Sequence, residues 1–198
     1  MVTAQGHEEI AMITALQGSV ALISAQGTRP LQPFSKLKQG DSLLLEGPAL
    51  LKLIYFNSGR QETWRGNGTI EILGHEGKGS GLPIPDNFTL SRQTVKQIAK
   101  TPTESTIQKN TMKLRSFGAE NSIDRIEESY QKMRMEAVRG DLNPELYLLS
   151  ALFEMREIER VEQVLADLRA SRPADQEAKV VIALYQKALK NLKEGSGK

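Results

Sequence analysis

Few side chains in this chain are equipped for chemistry. There are two histidines, one tryptophan and no cysteine in 198 residues. The missing thiols exclude disulfides, thiolate metal sites and cysteine nucleophiles together. An imidazole base would have to be His7, near the start, or His75, beside the glycine-rich Gly77-Lys78-Gly79-Ser80, and neither has a nucleophile close in sequence. That glycine-rich stretch lacks the upstream glycine spacing and following helix of a phosphate-cradling loop, so it reads as a flexible exit. The acidic residues Glu154, Glu157, Glu159 and Glu162 alternate with Arg156, Arg160 and Arg169, which is the pattern of a solvated helix rather than of ligands converging on a cation. No catalytic residue, metal ligand or cofactor site is expected.

One segment does combine groups suited to recognition. Arg60-Gln61-Glu62-Thr63-Trp64-Arg65 is polar apart from the sole tryptophan and follows Tyr55 and Phe56. An indole exposed among arginines has the composition of a protein or glycan contact. The same indole could instead plug one end of a small β core. The candidate binding residues are therefore Tyr55, Arg60, Glu62, Trp64 and Arg65.

The elements that would carry these groups are legible from periodicity. Ile10 to Leu16 and Val20 to Ile23 are apolar runs of strand length, expected to pair as a hairpin through Gln17-Gly18-Ser19. Being apolar on both sides, they should be covered on both faces. Arg29-Pro30-Leu31-Gln32-Pro33 is restricted to an edge or a crossing loop by its prolines. Ser42 to Leu45 leads through Glu46-Gly47-Pro48 into Ala49 to Phe56, where Leu51, Leu53 and Tyr55 share a face. Asn57-Ser58-Gly59 supplies a hairpin loop into Arg60 to Arg65. Gly66-Asn67-Gly68 turns again into Thr69 to Leu73, with Ile70 and Ile72 inward and Glu71 outward. Six or so short strands then make a small sandwich or barrel.

After Pro83 and Pro85 the pattern loosens. Ser91 is placed to cap a short helix carrying Val95 and Ile98 and ending at Thr101-Pro102. Thr103 to Asn110 has little to bury, and Met112-Lys113-Leu114-Arg115 alternates like an edge strand. From Ser122 the period becomes about 3.6. One stripe runs through Ile123, Ile126, Tyr130, Met133 and Ala137, and Gly140 ends it. Asn143-Pro144 opens a second helix with Leu146, Leu148, Leu149, Leu152 and Phe153. A third carries Ile158, Val161, Val164, Leu165 and Leu168, and Asp175 caps a fourth with Val181, Ile182, Leu184, Tyr185, Ala188, Leu189 and Leu192. The expected class is α+β with two domains: an all-β sandwich or barrel over 1–83, a connector over 84–120 and an antiparallel bundle of about four helices over 121–198.

The strand motifs carry a resemblance. Leu16-Gln17-Gly18-Ser19-Val20-Ala21-Leu22, Leu37-Lys38-Gln39-Gly40-Asp41-Ser42-Leu43, Leu51 to Gly59 and Gly68-Thr69-Ile70-Glu71-Ile72 follow in the order of the "G-x-V" strand, "l-x-x-G-D-x-L" turn and "l-x-L-x-y-x-x-G" hairpin of FecR-like extracytoplasmic β domains. The resemblance covers about a third of the chain. It implies a periplasmic or cell-surface location and brings no catalytic residues. The membrane helix and anti-sigma segment of the iron-transport regulators have no counterpart in this sequence, so sigma-factor signalling is not carried over. In the second half, Leu148, Leu152, Val161, Leu165, Leu168 and Pro173 resemble one tetratricopeptide-type helical hairpin, with Leu149 where that motif takes a small residue.

Charge and termini add little to this. The net charge is +2, and only residues 93–120 have a basic excess, through Lys96, Lys100, Lys109, Lys113 and Arg115. Without clustered aromatic partners this reads as solvated linker, which disfavours nucleic acid. Val2-Thr3-Ala4 before Gln5 has the small residues of a signal-peptidase site, consistent with a removed export signal. No apolar run approaches the roughly 20 residues of a spanning helix. Together these readings predict a non-enzymatic periplasmic binding or scaffolding protein with a protein partner in the cell envelope. The alternative is a glycan- or peptidoglycan-binding protein, or a cell-envelope enzyme, built on the Trp64 hairpin.

Overall fold

A computed structural model describes residues 8–25, 27–108 and 123–195. The protein is α+β: a seven-stranded antiparallel sheet is followed by helices. It divides into two compact units, Met1–Val95 and Lys96–Lys198.

Three long strands form the centre of the sheet: β1 (Glu9–Ser24), β4 (Ser42–Tyr55) and β5 (Arg60–Ile72). β2 (Gly27–Pro30) and β3 (Lys36–Lys38) both lie along the free side of β1, while β6 (Gly77–Ser80) and β7 (Asp86–Thr89) lie along the free side of β5. Each side is thus traced by a strand broken in the middle, and the prolines collect at or beside the breaks, Pro30 and Pro33 on one side, Pro83 and Pro85 on the other. Proline cannot donate to a ladder, so it is tolerated where one side needs no partner. The expectation of an edge or crossing segment at Arg29 to Pro33 is met.

The long strands correct the expectation of short strands with turns between them. Gln17-Gly18-Ser19, Glu46-Gly47-Pro48 and Gly66-Asn67-Gly68 do not reverse the chain; each lies inside one continuous strand. The pairing register explains why. On β1, Gln17 faces Leu50 and Ser19 faces Glu46, so Gly18 alone stands opposite Gly47-Pro48-Ala49. On β5, Gly68 faces Leu45 and Gly66 faces Ala49, leaving Asn67 opposite Glu46-Gly47-Pro48. The extra residues of β4 form a bulge at one level, and all three strands bend there. Gly18 has φ +81°, which strains any other residue there, and a Cβ on it would also sit tightly, 3.1 Å from the Ala49 backbone. Ile10 to Leu16 and Val20 to Ile23 therefore both pair with β4 rather than with each other.

Bending folds the sheet over its own apolar face. Ile13, Leu37, Leu53 and Tyr55 from one half meet Val20, Leu43, Leu45, Ile70 and Ile72 from the other in one core. The alternation of Leu51, Leu53 and Tyr55 with their neighbours, and of Ile70 and Ile72 with exposed Glu71, is as the pattern predicts. Met12 and Ile54, on the opposite face of the same strands, are also fully buried, which meets the expectation of two covered faces for Ile10 to Leu16; it is corrected for Val20 to Ile23, where Ala21 is half-buried and Ile23 is exposed. The Asn57-Ser58-Gly59 loop joins β4 to β5, and Gly59 donates to the Tyr55 carbonyl at 2.9 Å. β7 lies within the stretch read from sequence as the start of the connector.

α1 (Arg92–Ile98) begins where expected: the Ser91 hydroxyl accepts the Thr94 amide at 3.1 Å, and Val95 and Ile98 are buried. Beyond it, a short α2 (Glu104–Gln108) corrects the reading of Thr103 to Asn110 as having little to bury, since Ile107 is buried and α2 packs on α6. The strand-like Met112 to Arg115 lies outside the described residues. α3 (Ile123–Glu136), α4 (Asn143–Glu154), α5 (Ile158–Ser171) and α6 (Gln176–Gly195) then pack each on the next. Ten of the twelve residues of α4 are buried, including its first turn, which makes it the central helix of the unit. Its start corrects the sequence reading by one position: Leu142, not Asn143, is the N-cap and makes no side-chain cap bond, while the Asn143 amide, at the first helical position, donates to Asp141 Oδ1 at 3.1 Å. Asp175 caps α6 as predicted, accepting from Ala178 at 3.0 Å.

Candidate functional site

Of the five candidate residues, the strand period separates one from the rest. Arg60, Glu62 and Trp64 alternate onto the inner face of β5, whereas Arg65 points outward and pairs with Asp86 of β7. Glu62 is fully buried yet bonded on both oxygens. Oε1 accepts from Arg60 Nε at 2.7 Å, and Oε2 accepts from Trp64 Nε1 at 3.0 Å and from the Gly77 amide at 3.0 Å. Three donors, one of them charged, replace the water the carboxylate loses on burial. Tyr55 lies in the same core, and its hydroxyl is buried with no hydrogen-bond partner among the described residues. Burial first, and then the Glu62 charge, push its phenol far above the usual range.

The indole of Trp64 is only 3% exposed. This corrects the expectation of an aromatic presented among arginines: the ring belongs to the core plug. It also explains the glycines of β6. A Cβ on Gly79 would fall 2.4 Å from the Trp64 ring, and one on Gly77 would fall 2.9 Å from Glu62 and 3.1 Å from the ring. Gly77 to Ser80 is therefore not a flexible exit but a strand paired with Thr69 to Ile72 and pressed onto the indole. The cluster can clamp β6 to β5. Its carboxylate is engaged by three donors, which leaves it poorly placed to take a proton from a substrate.

Other titratable groups are held in the same structural manner. In the helical unit Arg134 Nη1 bonds both oxygens of the buried Glu145 at 3.0 and 2.9 Å and also donates to the Asp141 and Val138 carbonyls through its two terminal nitrogens. One guanidinium thereby ties the end of α3, the following loop and the first turn of α4. Burial, reinforced by Glu145, raises the Tyr130 phenol, and burial raises that of Tyr185 well beyond its usual range. His75 is exposed, with its carbonyl accepting from Ser58, and His7 lies outside the described residues. Among the described residues no group of three or more His, Asp and Glu side chains is placed to hold a metal ion, and no helix is long and apolar enough to cross a membrane.

An open surface site lies elsewhere, between α5 and α6. A cleft of about 680 Å³ has Leu165 and Leu189 at its floor with Ala166 beside them. Charged side chains form its walls. Glu162 and Lys193 join across it at 2.9 Å, and Lys190 approaches Glu194 at 3.9 Å. Arg169, on the α5 wall, forms no ion pair among the described residues. The acidic and basic residues read from sequence as a solvated helix face are thus divided. Glu154 bonds Lys100 at 2.5 Å, Arg160 joins α5 to Glu127 of α3, and Glu162 and Arg169 border the cleft. Sequence reasoning did not single out Gln186, Lys190 or Lys193, because the cleft exists only when the two helices are set side by side. Their spacing of three and four along α6 was the available signal.

The chain matches no protein-family model, no curated protein and no solved structure.

Proposed function

We propose that this chain is a non-enzymatic binding or scaffolding protein of the periplasm, mediating protein–protein interaction in the cell envelope. In this reading the folded-over sheet is a FecR-like β domain, the location follows from that resemblance, and the helices form a tetratricopeptide-like bundle that presents a contact surface. The observation that carries it is the α5–α6 cleft, an apolar floor with charged walls between two helices. Apolar centre and polar rim is the anatomy of a protein contact. The absence of cysteine from the sequence is compatible with either side of a bacterial membrane and favours neither.

The reading built on the Trp64 hairpin, a glycan contact or a cell-envelope enzyme, loses its main support because the indole is in the core. Photo-crosslinking in cells tests the proposal. A photoreactive residue at Gln186, on the cleft, should trap a discrete protein in the periplasmic fraction, and one at Lys78, on β6, should trap much less. Retention of the protein in the cytoplasm, or hydrolysis of peptidoglycan abolished by one point substitution, would contradict it.

A further inference from the structure

Both walls of the α5–α6 cleft repeat one spacing. On α5 it runs Glu162, Leu165, Ala166, Arg169, and on α6 it runs Gln186, Leu189, Lys190, Lys193. Each set falls at i, i+3, i+4 and i+7, so one continuous stripe of each helix lines the cleft. Seven steps of helical rise span about 10 Å, or two turns. Side-chain ridges on two adjacent helices leave a groove of the kind into which a third helix packs. An extended peptide is a poorer fit, because its backbone donors and acceptors need partners that the sides of helices, bonded internally, do not offer.

Charge narrows the occupant further. Lys193 is bonded to Glu162, Lys190 stands near Glu194, and Arg169, beside Leu165 and Ala166, forms no ion pair among the described residues. A wholly apolar helix seated there would strip water from Arg169 without replacing it, and a basic one would add like charge. We infer that the cleft receives an amphipathic helix of a partner protein, with an aliphatic side chain over Leu165 and Leu189 and a carboxylate three or four positions away facing Arg169. This rests on the protein-binding reading above and specifies the partner for it.

The test uses the full chain and a phage-displayed library of helical peptides. Selections run in parallel on the native protein, on Arg169→Glu and on Ala166→Trp, which fills the cleft without changing charge. Both substituted side chains are exposed, and circular dichroism checks that each variant keeps its fold. Peptides enriched on the native protein should carry Asp or Glu three or four positions from Leu or Ile. By fluorescence anisotropy they should lose about tenfold or more in affinity for either variant, equivalent to roughly 1.4 kcal/mol. Replacing the peptide's acidic residue by Lys should restore binding to Arg169→Glu but not to Ala166→Trp. Enriched peptides that are basic, or that bind both variants as well as the native chain, would overturn the cleft assignment while leaving protein binding intact. An empty selection overturns the helical partner; joined with no cross-linked protein from any surface position, it overturns the protein-binding reading as well.

Discussion

Glu62 and Glu162 sit in similar sequence company, each within a few residues of an arginine and of bulky apolar side chains, and they meet opposite fates. Glu62 is in a strand, where period two sends every second residue to the same face whatever its polarity. It goes inward with Trp64 and is satisfied by Arg60, Trp64 and Gly77. Glu162 is in a helix, whose period keeps Val161, Leu165 and Leu168 on one stripe and leaves charges on the rest. It stays on the surface and bonds one lysine across an open cleft. The mixture of charge and apolar bulk marks internal scaffolding in the first case and accessible surface in the second. Composition alone does not separate these; the period of the element does.

The contrast can be broken most severely at Glu62. Glu62→Ala should cost about 2–3 kcal/mol, because the indole N–H and the Gly77 amide lose their acceptor, while Arg60, one-third exposed and 3.9 Å from Glu76, keeps water and a second carboxylate. Urea unfolding followed by circular dichroism measures it, and a cost under about 1 kcal/mol would mean that the clamp holds little. Gly79→Ala comes next, at about 1–3 kcal/mol, since its methyl overlaps the indole. In combination with Trp64→Phe the two losses should be less than additive, because the smaller ring makes room. Independent losses would place the strain elsewhere.

Tyr55 sharpens the comparison through pH. Its phenol is raised in the folded state, so the neutral form is favoured there; its contribution is complete below the unfolded value near 10 and is lost as the pH climbs above it. Thermal midpoints of the native chain should therefore decline above about pH 10, and Tyr55→Phe should flatten part of that decline. At pH 7 the same substitution should change stability by less than about 1 kcal/mol, since the buried hydroxyl makes no hydrogen bond among the described residues. The smallest effect belongs to the cleft. Arg169→Glu should alter stability by no more than about 0.5 kcal/mol, as expected for an exposed side chain with no ion pair among the described residues, while lowering affinity for the selected helices about tenfold or more.

Much of the fold is legible because it is local. The Asn57-Ser58-Gly59 hairpin, the inward Ile70 and Ile72, the Ser91 and Asp175 caps and the stripes of the long helices depend on residues within a few positions of each other. The two misread turns and the Glu46-Gly47-Pro48 connection depend on one another. Gly18, Glu46-Gly47-Pro48 and Gly66-Asn67-Gly68 have turn composition, and only the register across β1, β4 and β5 makes them one shared bend. Gly77 and Gly79 have linker composition, and the reason for them is an indole on another strand. The candidate site follows the same rule. Tyr55, Arg60, Glu62 and Trp64 were identifiable as a group by proximity in sequence, whereas their burial, and the pairing of α5 with α6 that creates the cleft, are tertiary facts.

The tryptophan hairpin holds the sheet together rather than meeting a ligand, and acrylamide quenching of the intrinsic fluorescence reads this out because Trp64 is the only tryptophan. Emission should be blue-shifted, quenched weakly by acrylamide in the native chain and strongly after unfolding. Native emission at the wavelength of a hydrated indole, quenched as readily as in the unfolded chain, would contradict it.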